Sequence, residues 1–156
     1  TVLNYLKITG QKRNVYLIDT YDGFNYEASK KSSDAAWYKT HLKQKKTKEE
    51  IEKNFKNFNN YELIKTEIIK DNFPEKIEKI SLAHIDVDMQ EATYESLIKI
   101  AKKISIHGII MCEDSAHTPI CYGAKYAMEK FLKEDGNEDK FLKIFKKNHY
   151  FLVRIM

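Results

Sequence analysis

Apolar positions recur along this chain in two alternating rhythms. Val2, Leu3 and Leu6, with Tyr5 beside them, share one side of a short helix over residues 1–8, which Gly10 closes. After the polar turn 11–14, Val15-Tyr16-Leu17-Ile18 is an unbroken apolar run, the mark of a strand buried on both faces as in a parallel sheet. Thr47 followed by Glu50 predicts a capping box, and Ile51, Phe55 and Phe58 then form one apolar helical stripe. Residues 61–69 alternate loosely as a strand, Pro74 breaks the chain, and 80–87 is the next strand. Leu97, Ile100, Ala101 and Ile104 place an amphipathic helix over 93–104. His107-Gly108 reads as a turn into the fourth strand, Ile109-Ile110-Met111-Cys112. Residues 122–133 read as a helix with Ala127, Met128, Phe131 and Leu132 inward, and 141–145 and 149–155 as two strands about the polar turn 146–148.

This alternation predicts a single α/β domain over residues 1–156, a doubly wound, mostly parallel Rossmann-like sheet with a C-terminal antiparallel hairpin. Residues 25–46 carry no period but hold Trp37, Tyr38 and His41. Long aperiodic excursions in compact domains are commonly functional, so a lid or substrate loop is expected there.

Composition narrows the classes. Hydrophobic residues at 42% and aromatics at 12% of the chain suffice for a packed core. No stretch is long and apolar enough to span a membrane, and no signal or lipidation motif is visible. Cys112 and Cys121 lack the pairing of a disulfide framework or zinc site, so a reducing, cytoplasmic setting is expected. The net charge of +4 does not point to nucleic acid. Only Arg13 and Arg154 are arginine among 27 basic residues, and 23 acids are interleaved with them. The densest run, Lys43 to Lys48, leads directly into Glu49, Glu50 and Glu52, as on a solvated helix face.

Ligands of doubly wound sheets bind outside the carboxyl ends of the strands, so the residues placed there carry the candidate chemistry. The first strand ends in Asp19, a residue type that accepts ribose hydroxyls but is also common in turns. The strand at Ile80 ends His84-Ile85-Asp86-Val87-Asp88, and the strand at Ile109 ends Glu113-Asp114, with His117 close behind. Four carboxylates on two adjacent strand tips repel one another unless a hard divalent cation (magnesium, calcium or manganese) holds them. Helix capping is the competing account, with Asp86 or Asp88 serving one helix and Glu113-Asp114 the helix after Pro119. His84, within a strand, reads as a packed histidine, and His107 and His149 as turn and strand residues. His117 stands between a substrate-contacting base and a loop residue. Cys112 reads as a buried core thiol.

The three segments Val15 to Phe24, His84-Ile85-Asp86-Val87-Asp88 and Gly108 to Asp114 resemble, in order and spacing, those of macrocin O-methyltransferase-like enzymes. These are class I, S-adenosylmethionine-dependent methyltransferases, and the similarity covers nearly the whole chain, weakest over 25–60. The resemblance implies that Asp19, with Thr20 beside it, holds the cofactor ribose and that Thr66 and Glu67 lie near the adenine. It implies a magnesium ion on Asp88, Glu113 and Asp114, with Asp86 as the alternative first ligand, and catalytic roles for Asp88 and His117. The implied acceptor is a sugar or glycosylated natural-product hydroxyl. No nucleic-acid or membrane partner is implied, and homo-oligomerisation stays open. Glu113 stands where the family commonly has Asp, and Met89-Gln90 where it has Leu-Tyr.

The family's N-terminal strand and glycine-rich cofactor loop have no counterpart in the 156 residues. In the implied strand order 3-2-1-4-5-7-6, central strand 1 is then missing, and the Val15 and Ile80 strands border its place. Low stability and weak cofactor binding by this chain alone are expected. Two other functions stay open: a metal-dependent nucleotide-sugar (glycosyl) transferase, because Asp86-x-Asp88 also resembles that motif, and an inactive, truncated binding domain.

Overall fold

The computed structural model describes residues 2–25, 27, 30, 35, 38, 39, 47–117 and 122–156, the side chain of His117 excepted. Within these bounds the chain forms two compact units, residues 1–25 with 39–67 and residues 26–38 with 68–156. The expected contribution of Trp37 and His41 to a lid, and the placements of Pro119 and Cys121, lie outside the described residues.

The first unit contains α1 (Val2–Thr9), β1 (Val15–Asp19), α2 (Lys48–Phe55) and β2 (Tyr61–Lys65). Helix α1 buries Leu3 and Leu6, while Val2 and Tyr5, expected inward, are 50% and 60% exposed. It ends in a Schellman motif: the amide of Gln11 donates to Leu6 O and that of Gly10 to Lys7 O, with Gly10 at φ 67°. That left-handed φ is the one glycine adopts without a steric cost. β1 and β2 pair in parallel, in register from Val15 with Tyr61 to Asp19 with Lys65. β1 is half-buried along most of its length rather than buried on both faces. The capping box at α2 forms as the spacing predicts, Thr47 Oγ1 accepting from the Glu50 amide and Glu50 Oε2 from the Thr47 amide. Phe55 packs edge-on against Phe58 and Tyr61, so the predicted stripe meets the start of β2.

The second unit holds β3 (Ile80–Ile85), α3 (Gln90–Ala101), β4 (Ile104–Cys112), α4 (Asp114–His117), α5 (Tyr122–Lys133), α6 (Asn137–Lys140), β5 (Phe141–Lys146) and β6 (His149–Arg154). Its sheet runs in the order β3-β4-β6-β5. β3 and β4 are parallel, and β6 is antiparallel to both β4 and β5, closing the predicted hairpin. The two sheets, β2-β1 and β3-β4-β6-β5, match the two runs 3-2 and 4-5-7-6 of the implied order. The core is apolar and continuous: Leu97, Ile110, Met128, Phe131 and Leu152 are each at most 1% exposed and belong to one cluster. Burying such side chains contributes about 1.5–3 kcal/mol apiece, which is why the inward-facing positions of α5 could be read from period alone.

Several boundaries differ from expectation: α2 ends at Phe55, short of Phe58, β2 ends at Lys65 rather than at 69, β3 ends at Ile85 rather than at 87, and α3 spans Gln90–Ala101 rather than 93–104. Ile104, assigned by period to the helix, is instead the first residue of β4 and is 2% exposed. His107, expected in a turn, lies within β4 at φ 64°, where the register shifts between the Ile80–Ile104 and Leu82–Ile109 pairs. That bulge forces Gly108 close to the preceding chain: a Cβ there would meet Ser105 O at 2.7 Å and Ile104 Cγ1 at 2.8 Å. Among the described residues, no helix is long and apolar enough to cross a membrane.

Candidate functional site

The carboxyl end of the β1–β2 pair gathers the first set of predicted residues. The amide of Thr66 donates to Asp19 O at 2.9 Å, extending the parallel ladder one step past β2 and setting Thr66 beside the tip of β1. Asp19 is exposed, and its Oδ1 accepts from the Tyr21 amide at 2.6 Å, a turn-forming bond that accounts for part of its role without any ligand. Thr20 Oγ1 receives the Asp22 amide at 3.2 Å, so the turn after β1 is built by its own polar side chains. Tyr21, at φ 54°, sends its hydroxyl back to Leu17 O at 3.1 Å. Burial, then the negative charge of Asp19, pushes that hydroxyl's pKa up to about 12. Thr66 is buried and Glu67 half-buried. Asp19, Thr20, Thr66 and Glu67 therefore meet at one strand-pair end, and the rim they form, two carboxylates and two hydroxyls, offers hydrogen-bond acceptors to a polyhydroxylated ligand such as a ribose.

The second set lies where β3 and β4 run side by side. Parallel pairing of Ile85 with Cys112 brings Asp86 alongside Glu113, and the Glu113 amide donates to Ile85 O at 3.1 Å. His84 and Asp86 project from the same face of β3 because side chains alternate along a strand. His84 Nε2 and Glu113 Oε2 are hydrogen-bonded. One ligand atom from each of His84, Asp86 and Glu113 lies within 4.8 Å of the other two. This is a donor set of two hard carboxylates and an imidazole, which fits a divalent cation.

Asp114 plays a different part. It is 6% exposed at the start of α4, and its Oδ2 accepts from the amides of Asp88 at 2.8 Å and Val87 at 3.2 Å. Asp88 itself is half-buried at φ 57°, in a tight turn that the Met89 amide closes on Val87 O. The cap of α3 is Met89 with no side-chain bond, so neither Asp86 nor Asp88 serves as its capping residue. Below the site Cys112 is buried, and desolvation followed by the Asp114 charge pushes its thiol up to about 12. At ordinary pH it is an inert core thiol, as its position in the apolar run suggests.

The structure thus brings Asp86 and Glu113 together and sets Asp88 and Asp114 at the adjoining turn. His117 belongs to α4, its side chain outside the described residues. The group not anticipated is His84, whose side chain is 49% exposed and not packed. The signal was present in His84-x-Asp86, since a two-residue spacing on a strand puts both side chains on one face.

Similar architecture occurs in known enzymes. The O-methyltransferase NovP aligns with 99% of this chain at a TM-score of 0.81 and 15% identity. The calicheamicin methyltransferase CalS11 aligns with 90% at 0.61 and 17% identity. The apo form of CalS11, a TDP-rhamnose 3'-O-methyltransferase of calicheamicin biosynthesis, aligns with 90% at 0.53 and 19%. At these identities the likeness is one of fold. The chain spans 66%, 60% and 58% of the respective lengths of these structures. No curated protein matches it in sequence. The family model of macrocin O-methyltransferase (TylF) matches residues 2–152, end to end through both strand-tip clusters, and the chain belongs to that family.

Proposed function

We propose that this chain carries the strand-end machinery of an S-adenosylmethionine-dependent, divalent-metal-assisted O-methyltransferase whose acceptor is a hydroxyl of a sugar or glycosylated natural product. The observation that carries this reading is the family match over residues 2–152. It is supported by carboxylates at two parallel strand tips and by the likeness in fold to NovP and to the TDP-rhamnose enzyme CalS11.

In this reading Asp19 and Thr20 bind the cofactor ribose, and Thr66 with Glu67 border its adenine. S-adenosylmethionine supplies an activated methyl group. Asp86, Asp88, Glu113 and Asp114 are the magnesium-site residues, and a magnesium ion bound there supplies Lewis acidity toward the acceptor hydroxyl. Asp88 accepts the proton that this hydroxyl gives up, and His117, in the segment that follows β4, is the second base. Orientation of the acceptor oxygen in line with the methyl group does most of the remaining work. A small-molecule acceptor also agrees with the mixed charge of the chain, 27 basic against 23 acidic residues.

The test is transfer of labelled methyl from S-adenosylmethionine by the full-length protein to a panel of nucleotide sugars and glycosides, with and without chelator. Methylation of a sugar hydroxyl, lost with chelator and in Asp88→Asn, is the expected result. Transfer that is indifferent to chelator would remove the metal from the reading. Transfer to an RNA and to no sugar would overturn the acceptor class.

A further inference from the structure

The methyl-transfer reading leaves out the segment that follows Thr66 and Glu67, where the chain enters a turn over residues 68–70. Three backbone carbonyls there accept from a single ammonium, that of Lys99 on α3: Ile68 O, Asp71 O at 3.1 Å and Ile69 O at 3.5 Å. A lysine has three N–H donors, so the turn takes them all. Glu95, one helical turn earlier, stands 3.5 Å from the same nitrogen, and the Lys99 side chain is 18% exposed, low for a residue type that usually extends into water. Leu97 and Ile100, on either side of Lys99, belong to the apolar core, so α3 is a firm base for it. Phe73, just beyond the turn, packs against that core with Lys103 Nζ 5.8 Å from its ring centre. At the other end of the segment the Thr66 amide is bonded to Asp19 O. Along the chain, Glu67 therefore lies between two fastened points.

We propose that Lys99 is a positioning residue for the cofactor: its ammonium fixes the turn after Glu67 and so holds Thr66 and Glu67 at the adenine edge. This rests on the cofactor reading above and adds to it a residue outside the strand tips. An edge that is ordered before the ligand arrives costs less to order on binding. Without the ammonium, three carbonyls return to water, the turn loses this charged fastening, and the cost of ordering it falls on cofactor binding. Two rivals keep Lys99 away from the ligand: an ion pair with Glu95 that only supports α3, and a fastening that adds stability without affecting affinity.

Titration calorimetry of the full-length protein with S-adenosylhomocysteine, the demethylated cofactor, is the test. Lys99→Met keeps the unbranched stem and removes the ammonium. It is expected to weaken binding about ten-fold, the equivalent of one charged hydrogen bond. Lys99→Arg keeps the charge and the donors and is expected to recover most of that loss. Glu95→Gln removes the ion pair but not the carbonyl contacts, and is expected to stay within about two-fold of the wild type. Nitrogen-15 NMR reads the Lys99 ammonium of the wild type without any variant. Hydrogen bonding slows its proton exchange, so the signal is expected to be visible and to shift when the ligand is added. Unchanged affinity in a folded Lys99→Met, equal losses in Lys99→Met and Glu95→Gln, or an ammonium signal that the ligand does not move overturns Lys99 as a positioning residue and leaves the cofactor reading standing. Failure of the wild type to bind S-adenosylhomocysteine overturns both.

Discussion

Replacing Asp114 separates the stability of the strand-tip turn from any ligand it holds. The carboxylate is 6% exposed and its Oδ2 receives the amides of Asp88 and Val87, at 2.8 and 3.2 Å. Between them the chain holds Asp88 at φ 57°, a left-handed conformation that costs a non-glycine residue about 1–2 kcal/mol. Asp114→Ala removes the acceptor and leaves both amides without their partner. A hydrogen bond to a charged group contributes about 1.5–3 kcal/mol. Both of these bonds are only partly buried, so water replaces some of the interaction and the lower figure applies to each. The expected loss is about 3 kcal/mol for the pair. Asp114→Asn keeps a carbonyl oxygen in the same position without the charge, and its expected loss is about 1 kcal/mol. Urea unfolding followed by circular dichroism measures both, through a lowered midpoint at unchanged slope. If the two variants agree within about 0.5 kcal/mol, or Asp114→Ala costs nothing, Asp114 does not hold the turn and the reasoning fails.

Cys112, buried and with its thiol pushed up to about 12, should resist Ellman's reagent in a Cys121→Ser background and react only as fast as the chain opens; labelling as rapid as in urea would refute its burial. Its ordinary value is 9.0, so the unfolded thiol ionises first; the stability it contributes is complete below pH 9.0 and is lost as pH rises toward about 12. Cys112→Ala should therefore flatten the alkaline fall in urea midpoint. Gly108→Ala should cost about 1–3 kcal/mol in the same assay, because its Cβ would meet Ser105 O at 2.7 Å. Thr47→Ala should cost about 1 kcal/mol, with faster amide exchange confined to α2, where its Oγ1 accepts the Glu50 amide; unchanged exchange in α2 would show that the cap does not hold that helix.

Local chemistry determined what could be read without coordinates. The Thr47–Glu50 box, the Gly10 closure, the α5 stripe and the β5–β6 hairpin each depend on residues a few positions apart. Short-range bonds and burial period encode such features directly. Placing Asp86 and Glu113 on neighbouring strand tips also followed from the sequence, because alternating strands and helices leave few topologies and put ligands at one sheet edge. What only the tertiary structure decided was the division of labour among the acids. Whether a carboxylate faces solvent or a backbone amide depends on the turn geometry at Asp88 and on the register of β3 against β4. Likewise, the start of β4 at Ile104 was set by pairing with Ile80 across a bulge, an interaction between distant segments that overrides the helical period of Leu97, Ile100 and Ile104. Asp114 and His84 exchanged their expected places for that reason: the first is buried on backbone amides, the second exposed beside Glu113.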